Sequence, residues 1–165
     1  MRIEPYSAVI QKQLQRIERL IITGDFKKGL ELIEKNLKGK DINEDDQLRL
    51  LNFKGHIQNK LGNNKEAFEI AENILKRKSE DKNSLIYLDA LSLKAFTSFL
   101  LDKVKQSLLL IEDCFQLITK ISNVDQKELA KRKSHIYGIK GTLAGSLGDY
   151  TEGIENLQLA IKYAK

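Results

Sequence analysis

The stretch KLGNNKEAF, residues 60–68, separates two segments that both read as amphipathic helix. Gly62 suits the left-handed position that closes a helix, and Asn63 can cap the next one, so Leu61-Gly62-Asn63 reads as a tight joint between two helices. A near copy, SLGDYTEGI, stands at 146–154, and weaker echoes stand at ITGDFKKGL (22–30) and LLDKVKQSL (100–108). The interruption recurs, so it is architecture: the chain is a run of helical hairpins. In the third copy Asp102 takes the place of the glycine, and a less ideal turn is expected there.

Around these joints the sequence is rich in Leu, Ile, Lys, Glu and Ala, its single proline is Pro5, and no sustained period-two stretch breaks the pattern. The punctuation predicts helices at about 7–23, 26–38, 44–61, 64–78, 83–101, 103–121, 125–147 and 150–164. Longer joints, KGKDIN, KSEDKN and SNVDQ, separate one pair from the next. With Gly24, Gly62, Asp102 and Gly148 in register, successive copies are 38, 40 and 46 residues apart. Five residues after the turn stand Gly29, Ala67, Ser107 and Gly153, all small. Seven before it stand Ile17, Gly55, Ala95 and Gly141, small in three copies. Larger apolar residues flank them: Leu30, Phe68, Leu108 and Ile154, then Ile33, Ala71, Ile111 and Leu157. Small side chains on facing sides let two antiparallel helices approach closely, and the larger ones fill the seam.

A small residue seven before a Gly-Asp/Asn turn and another five after it resembles the tetratricopeptide repeat (TPR), best in GHIQNKLGNNKEAFEIAENIL and next in GTLAGSLGDYTEGIENLQLAI. The likeness covers nearly the whole chain. It departs from the family at Ile17 and Asp102, in repeats longer than the usual length of about 34 residues, and in lacking the family's terminal proline. The resemblance implies an all-α superhelix of about four TPR-like hairpins, forming one domain over residues 1–165 with repeats at about 7–38, 44–78, 83–121 and 125–164.

Composition sets further bounds. At 165 residues the chain can bury roughly 70% of its unfolded surface without metal or disulfide. Its single cysteine, Cys114, cannot form an internal bridge, and no Cys/His spacing matches a zinc site, which points to a reducing, cytoplasmic setting. No apolar run approaches the ~20 residues needed to span a bilayer. The net charge of +5 leans mildly towards acidic partners. Its tight basic clusters, Lys76-Arg77-Lys78 and Lys131-Arg132-Lys133, lie near acidic residues and read as solvated helix faces rather than a nucleic-acid stripe.

The inventory for catalysis is poor. His56 and His135 have no nucleophile pattern nearby, Cys114 sits in an apolar stripe with Ile111 and Ile118, and no nucleotide, metal or hydrolase motif appears. The glycine-rich GIKGTLAGSLG (138–148) has the wrong order for a phosphate loop, because Lys140 precedes Gly141. Its Gly138, Gly141, Gly145 and Gly148 share a helix face, which suits close helix packing, or else a groove floor at Gly138 and Gly145 open to a ligand backbone. No enzymatic activity and no cofactor are expected.

In the family that the chain resembles, the first helices of successive pairs line a concave surface that binds peptides or proteins. By register, that surface here comprises Gln11, Leu14, Glu18, Arg49, Asn52, His56, Asn59, Asp89, Ser92, Phe96, Phe99, His135, Gly138, Thr142 and Gly145. Phe96 and Phe99, three apart, are either its aromatic anchors or ordinary inter-repeat core. The carboxylate clamp of chaperone-binding members would map to Leu14, Glu18, Phe53, Asp89 and Leu93, none of which fits. The function these features imply is a protein-interaction scaffold or adaptor. The alternative is a self-associating module, or a piece of a longer array, joined through the apolar stripe Ile154, Leu157, Ile161 and Ala164.

Overall fold

The turn glycines behave as their chemistry dictates. Gly24, Gly62 and Gly148 sit at φ of 77°, 84° and 90°, in the left-handed region. In each turn two backbone hydrogen bonds close the helix end: Asn63 N–H donates to Gln58 C=O (2.9 Å) and Gly62 N–H to Asn59 C=O (3.0 Å), with equivalents at the other joints. The third turn keeps the same pair, Lys103 to Ser98 and Asp102 to Phe99, although Asp102 must adopt φ 60° to do so. Its geometry is therefore not degraded; the substitution costs conformational energy instead.

The computed structural model describes residues 8–39 and 42–165. Among them are eight helices and no strand: α1 (Ala8–Ile22), α2 (Phe26–Leu37), α3 (Glu44–Lys60), α4 (Asn64–Arg77), α5 (Leu85–Leu100), α6 (Val104–Lys120), α7 (Gln126–Ser146) and α8 (Tyr150–Ala164). The start expected at residue 7 lies outside the described residues. Asp25 and Asp149 cap α2 and α8 through their carboxylates. Asn63 differs: its amide donates to Gln58 Oε1 (2.8 Å), and α4 has no side-chain cap. The longer joints end in caps of their own, Asn43, Ser84 and Asp125.

Consecutive helices pack on one another, and first helices also touch the next first helix, α1 on α3, α3 on α5 and α5 on α7. The core is accordingly a line of clusters rather than one centre. Ile10, Leu14, Ile17, Ile33, Leu50 and Ile57 join the first two hairpins; Leu48, Ile74, Ile86 and Ala90 join the second to the third; and a larger cluster including Leu88, Ile111, Cys114, Leu129 and Ile136 joins the third to the fourth. Each fully buried Leu or Ile in this line contributes about 1.5–3 kcal/mol. The architecture is a TPR-like α-α solenoid, in which each hairpin leans on its neighbours.

The small columns meet inside the hairpins. Ser107 Oγ donates to Ala95 C=O at 2.7 Å, which fastens α6 to α5. A methyl group on Gly141 would lie 2.9 Å from Gly153 O, so here α7 and α8 touch backbone to backbone. The four glycines of 138–148 do not form one packed face, however. Gly148 stands beyond the end of α7, and Cβ atoms at Gly138 and Gly145 would meet open space. At the far end, α8 buries only Gly153 and Asn156 fully, leaving Ile154, Leu157 and Ile161 exposed.

Candidate functional site

The first helices curve around a groove of about 480 Å³, within the usual span of ligand pockets. From α1 come Gln11, Leu14, Gln15 and Glu18, and from α3 Arg49, Asn52, Phe53 and His56. Across from them stand Leu85, Ile86 and Asp89 of α5, and Glu128, Lys131, Arg132, Ser134 and His135 of α7. Helical spacing explains the set, since 11, 14, 15 and 18 on α1, or 128, 131, 132 and 135 on α7, fall on one face. Leu14, Phe53, Leu85 and Ile86 give it an apolar wall.

Its charges are paired internally. Arg132 forms two hydrogen bonds with Asp89 (2.7 and 2.8 Å), and a third with Glu128 Oε2 (2.6 Å). Burial works against the guanidinium charge, but these two carboxylates outweigh it and hold its proton more tightly than usual. Arg49 pairs with Asp46 at 3.0 Å, and Lys131 pairs with Glu18 across the groove. The other basic cluster is engaged likewise, with Arg77 on Glu44 and Lys78 on Asp45, so both act as braces between helices.

Two groups in the groove lack such partners. Asn52 is 9% exposed and its Oδ1 accepts no hydrogen bond, an unusual state for a buried amide oxygen. His56 and His135 meet ring edge to ring face, with centroids 5.6 Å apart and planes at 70°. His135 is exposed and His56 half-buried, yet the protein packed around both rings still disfavours their charged forms. Burial, then His135 and Lys60, pulls His56 down to about 3. Burial also lowers His135; Asp89 opposes the shift, while Lys60 and Arg132 add to it. Both imidazoles are neutral near pH 7.

Of the residues that register puts on the concave face, the groove gathers Gln11, Leu14, Glu18, Arg49, Asn52, His56, Asp89 and His135. Asn59, Phe96, Phe99 and Thr142 lie elsewhere. Asn59 donates to Asn64 Oδ1 at 3.0 Å within its own hairpin, and Thr142 to Gly138 C=O at 2.9 Å. Phe96 and Phe99 are half-buried against the core of the third and fourth hairpins. Ser92 is buried, and neither Gly138 nor Gly145 reaches the groove. Sequence reasoning missed Glu128, Lys131 and Arg132, although their spacing from His135 puts them on its face. It followed α7 downstream, whereas the groove takes the first turns of α5 and α7.

Cys114 is fully buried, and burial, then Asp113 and Asp89, pushes its thiol far above the usual range, so it is an inert core residue. No cluster of potential metal ligands occurs among the described residues, and no described helix is long and apolar enough to cross a membrane.

A family model described as "Tetratricopeptide repeat" matches residues 134–165, most of the α7–α8 hairpin. No curated protein matches the chain. Together with the stacked hairpins, the match marks the chain as a TPR-like helical repeat protein. Repeats of this type serve generally as protein-interaction scaffolds, typically without enzymatic activity of their own.

Proposed function

We propose that this chain is a non-enzymatic adaptor of the cytoplasm that holds a protein or peptide segment in the groove between α1, α3, α5 and α7. The observation that carries the reading is Asn52. Asn52 lines the groove with its Oδ1 buried and unpaired, and a partner N–H that draws the side chain round into the groove would satisfy it. The groove supplies apolar contact through Leu14, Phe53, Leu85 and Ile86, while its charged groups already engage one another. Phe53, which lines the groove while packing on the core of the first two hairpins, takes the place of Phe96 and Phe99 as the aromatic contact in this reading. Nucleic acid is not the expected partner, because the clustered cations Arg77, Lys78, Lys131 and Arg132 are in ion pairs.

The test uses peptides selected from a displayed random library against the immobilised chain. Asn52→Ala and Phe53→Ala are expected to weaken the selected ligands by roughly tenfold or more, as central contacts do. Lys65→Ala, on exposed α4, is the control. Groove variants that keep the native circular dichroism and bind as tightly as the parent refute the reading.

One observation favours a second surface. The position nine residues after the turn is buried in three hairpins, at Ile33 (0% exposed), Ala71 (0%) and Ile111 (4%), but Leu157 is 43% exposed. With Ile154 and Ile161 it forms an exposed apolar stripe along α8. In this reading a second copy of the chain pairs there. Light scattering should show a mass that rises with concentration and stays monomeric in Leu157→Glu; a monomer at every concentration refutes it.

A further inference from the structure

We propose that the groove carries a proton-operated gate: with both imidazoles neutral, the His56–His135 contact and the Glu18–Lys131 bridge hold it closed, and protonation of the two rings opens it. The closure is a side-chain affair. α7 does not pack against α1 or α3 along its backbone; it faces them across the groove, and these two pairs span the gap. The bridge is partly exposed, with 57% of the Lys131 side chain and 33% of that of Glu18 open to solvent, and ion pairs of that kind hold weakly. Of the two direct links across the gap the ring contact is therefore the one that can decide its state, and it is the one that titrates; α5, joined to α7 by Arg132–Asp89, is the element on which α7 turns.

Among the described residues, the carboxylates around the two rings are already engaged by other cations. On α5, Asp89 is the acid that faces His135, but Arg132 takes both of its oxygens. On α7, Glu128 is also held by Arg132, and on α1, Glu18 is held by Lys131. From α3, Lys60 adds positive potential at both rings, and Arg49 lines the same groove, paired with Asp46. Two protonated rings at 5.6 Å would thus face each other among cations whose counter-ions are engaged. Separating α7 from α1 and α3 rehydrates the half-buried His56, takes it away from His135 and restores its ordinary affinity for protons, near 6.5. Protons then bind the open groove better than the closed one. Below that pH the open:closed ratio rises by about tenfold per pH unit for each ring that gains its proton on opening.

The consequence for binding rests on the groove being the partner surface. A partner gripped by four helices at neutral pH loses the contacts from α7 when the groove opens, and is released in acid. The opening itself is a property of the chain alone, so it can be tested without any partner. Spin labels at Arg16→Cys on α1 and Lys127→Cys on α7, both exposed, are placed in a Cys114→Ala background. Pulsed dipolar distances are read at pH 7.5, 6 and 5, with circular dichroism recorded alongside.

The expected result is a short distance at pH 7.5 that gives way to a longer, broader one as pH falls, while the helices persist. His56→Gln/His135→Gln should keep the short distance throughout. His135→Arg, a fixed positive charge on the same face, should give the long distance already at pH 7.5. A distance that ignores pH in the parent overturns the gate and leaves the groove reading standing. Equal movement in the double glutamine variant, or acid unfolding at the same pH in both, also overturns it. Loss of peptide binding in the Asn52 and Phe53 variants reports on the groove reading alone.

Discussion

Gly141 and Gly138 lie one turn apart on α7, and their substitution by alanine should move stability in opposite directions. A Cβ at Gly141 would stand 2.9 Å from Gly153 O, 2.9 Å from Leu157 Cγ and 3.1 Å from Leu157 N. Two of these are backbone atoms of α8, so the clash cannot be relieved by turning a side chain; α8 must retreat by about half an ångström. The seam has no slack on its other side, because a Cβ at Gly153 would itself lie 3.1 Å from Gly145 N. Overpacking of this kind costs about 1–3 kcal/mol, while alanine recovers about 1 kcal/mol of helix propensity. The net expectation for Gly141→Ala is a loss of about 1 kcal/mol. At Gly138 a Cβ meets nothing within 4 Å, so the propensity term acts alone and Gly138→Ala should gain about 1 kcal/mol.

For a chain of this size, 1 kcal/mol corresponds to about 2–4 °C in Tm, so thermal melts followed by circular dichroism resolve the two signs. Because hairpins of a solenoid can open individually, amide exchange at α8 gives the local reading, faster in Gly141→Ala and unchanged or slower in Gly138→Ala. If Gly141→Ala proves as stable as Gly138→Ala, then α7 and α8 do not rest backbone on backbone. The packing rule read from the small columns would fail with it.

Three further outcomes follow from the same geometry. Asp102→Gly should stabilise the chain by about 1 kcal/mol in denaturant titrations, since glycine holds the φ of 60° at this turn without strain. Arg132→Met should cost about 1–3 kcal/mol by leaving Asp89 and Glu128 facing each other in the groove, and Asp89→Leu added to it should recover part of the loss. Stability should also fall as pH drops. His56 is pulled below its unfolded value of about 6.5, so its contribution is complete above that pH and is lost progressively towards about 3. With water reaching the ring, the loss by pH 4.5 amounts to roughly 1–2 kcal/mol, and His56→Gln should flatten the profile.

The joints were the most legible part of the sequence. Glycine followed by an Asx residue encodes a left-handed stop and a fresh start locally, so the helix ends fall within about two residues of the expected ones. Asp102 shows where residue identity misleads: the register requires the left-handed turn, and the chain accepts the strain. The glycine run at 138–148 shows the converse. Spacing put all four glycines on one face, whereas α8 presses against α7 at Gly141 and Gly145, and Gly138 faces open space.

The groove was half legible. Register assigns an inner face to each first helix, but it carries no information on how tightly the superhelix curves. His56 and His135 stand at different register positions, one after Gly55 and six before Gly141, and it is the way the first helices stack that brings their rings within 5.6 Å. The same stacking engages the early turns of α5 and α7. Phe96, Phe99 and Thr142 fall outside the groove for that reason, while Lys131 and Arg132 fall within it.

That partners are held between α1, α3, α5 and α7 is tested most directly by amide correlation spectra of the labelled chain, titrated at neutral pH with a library-selected peptide. The largest shifts should fall on Asn52, Phe53, His56, Asp89 and His135, with α8 unmoved. Shifts concentrated at Ile154, Leu157 and Ile161, with the groove silent, would contradict it.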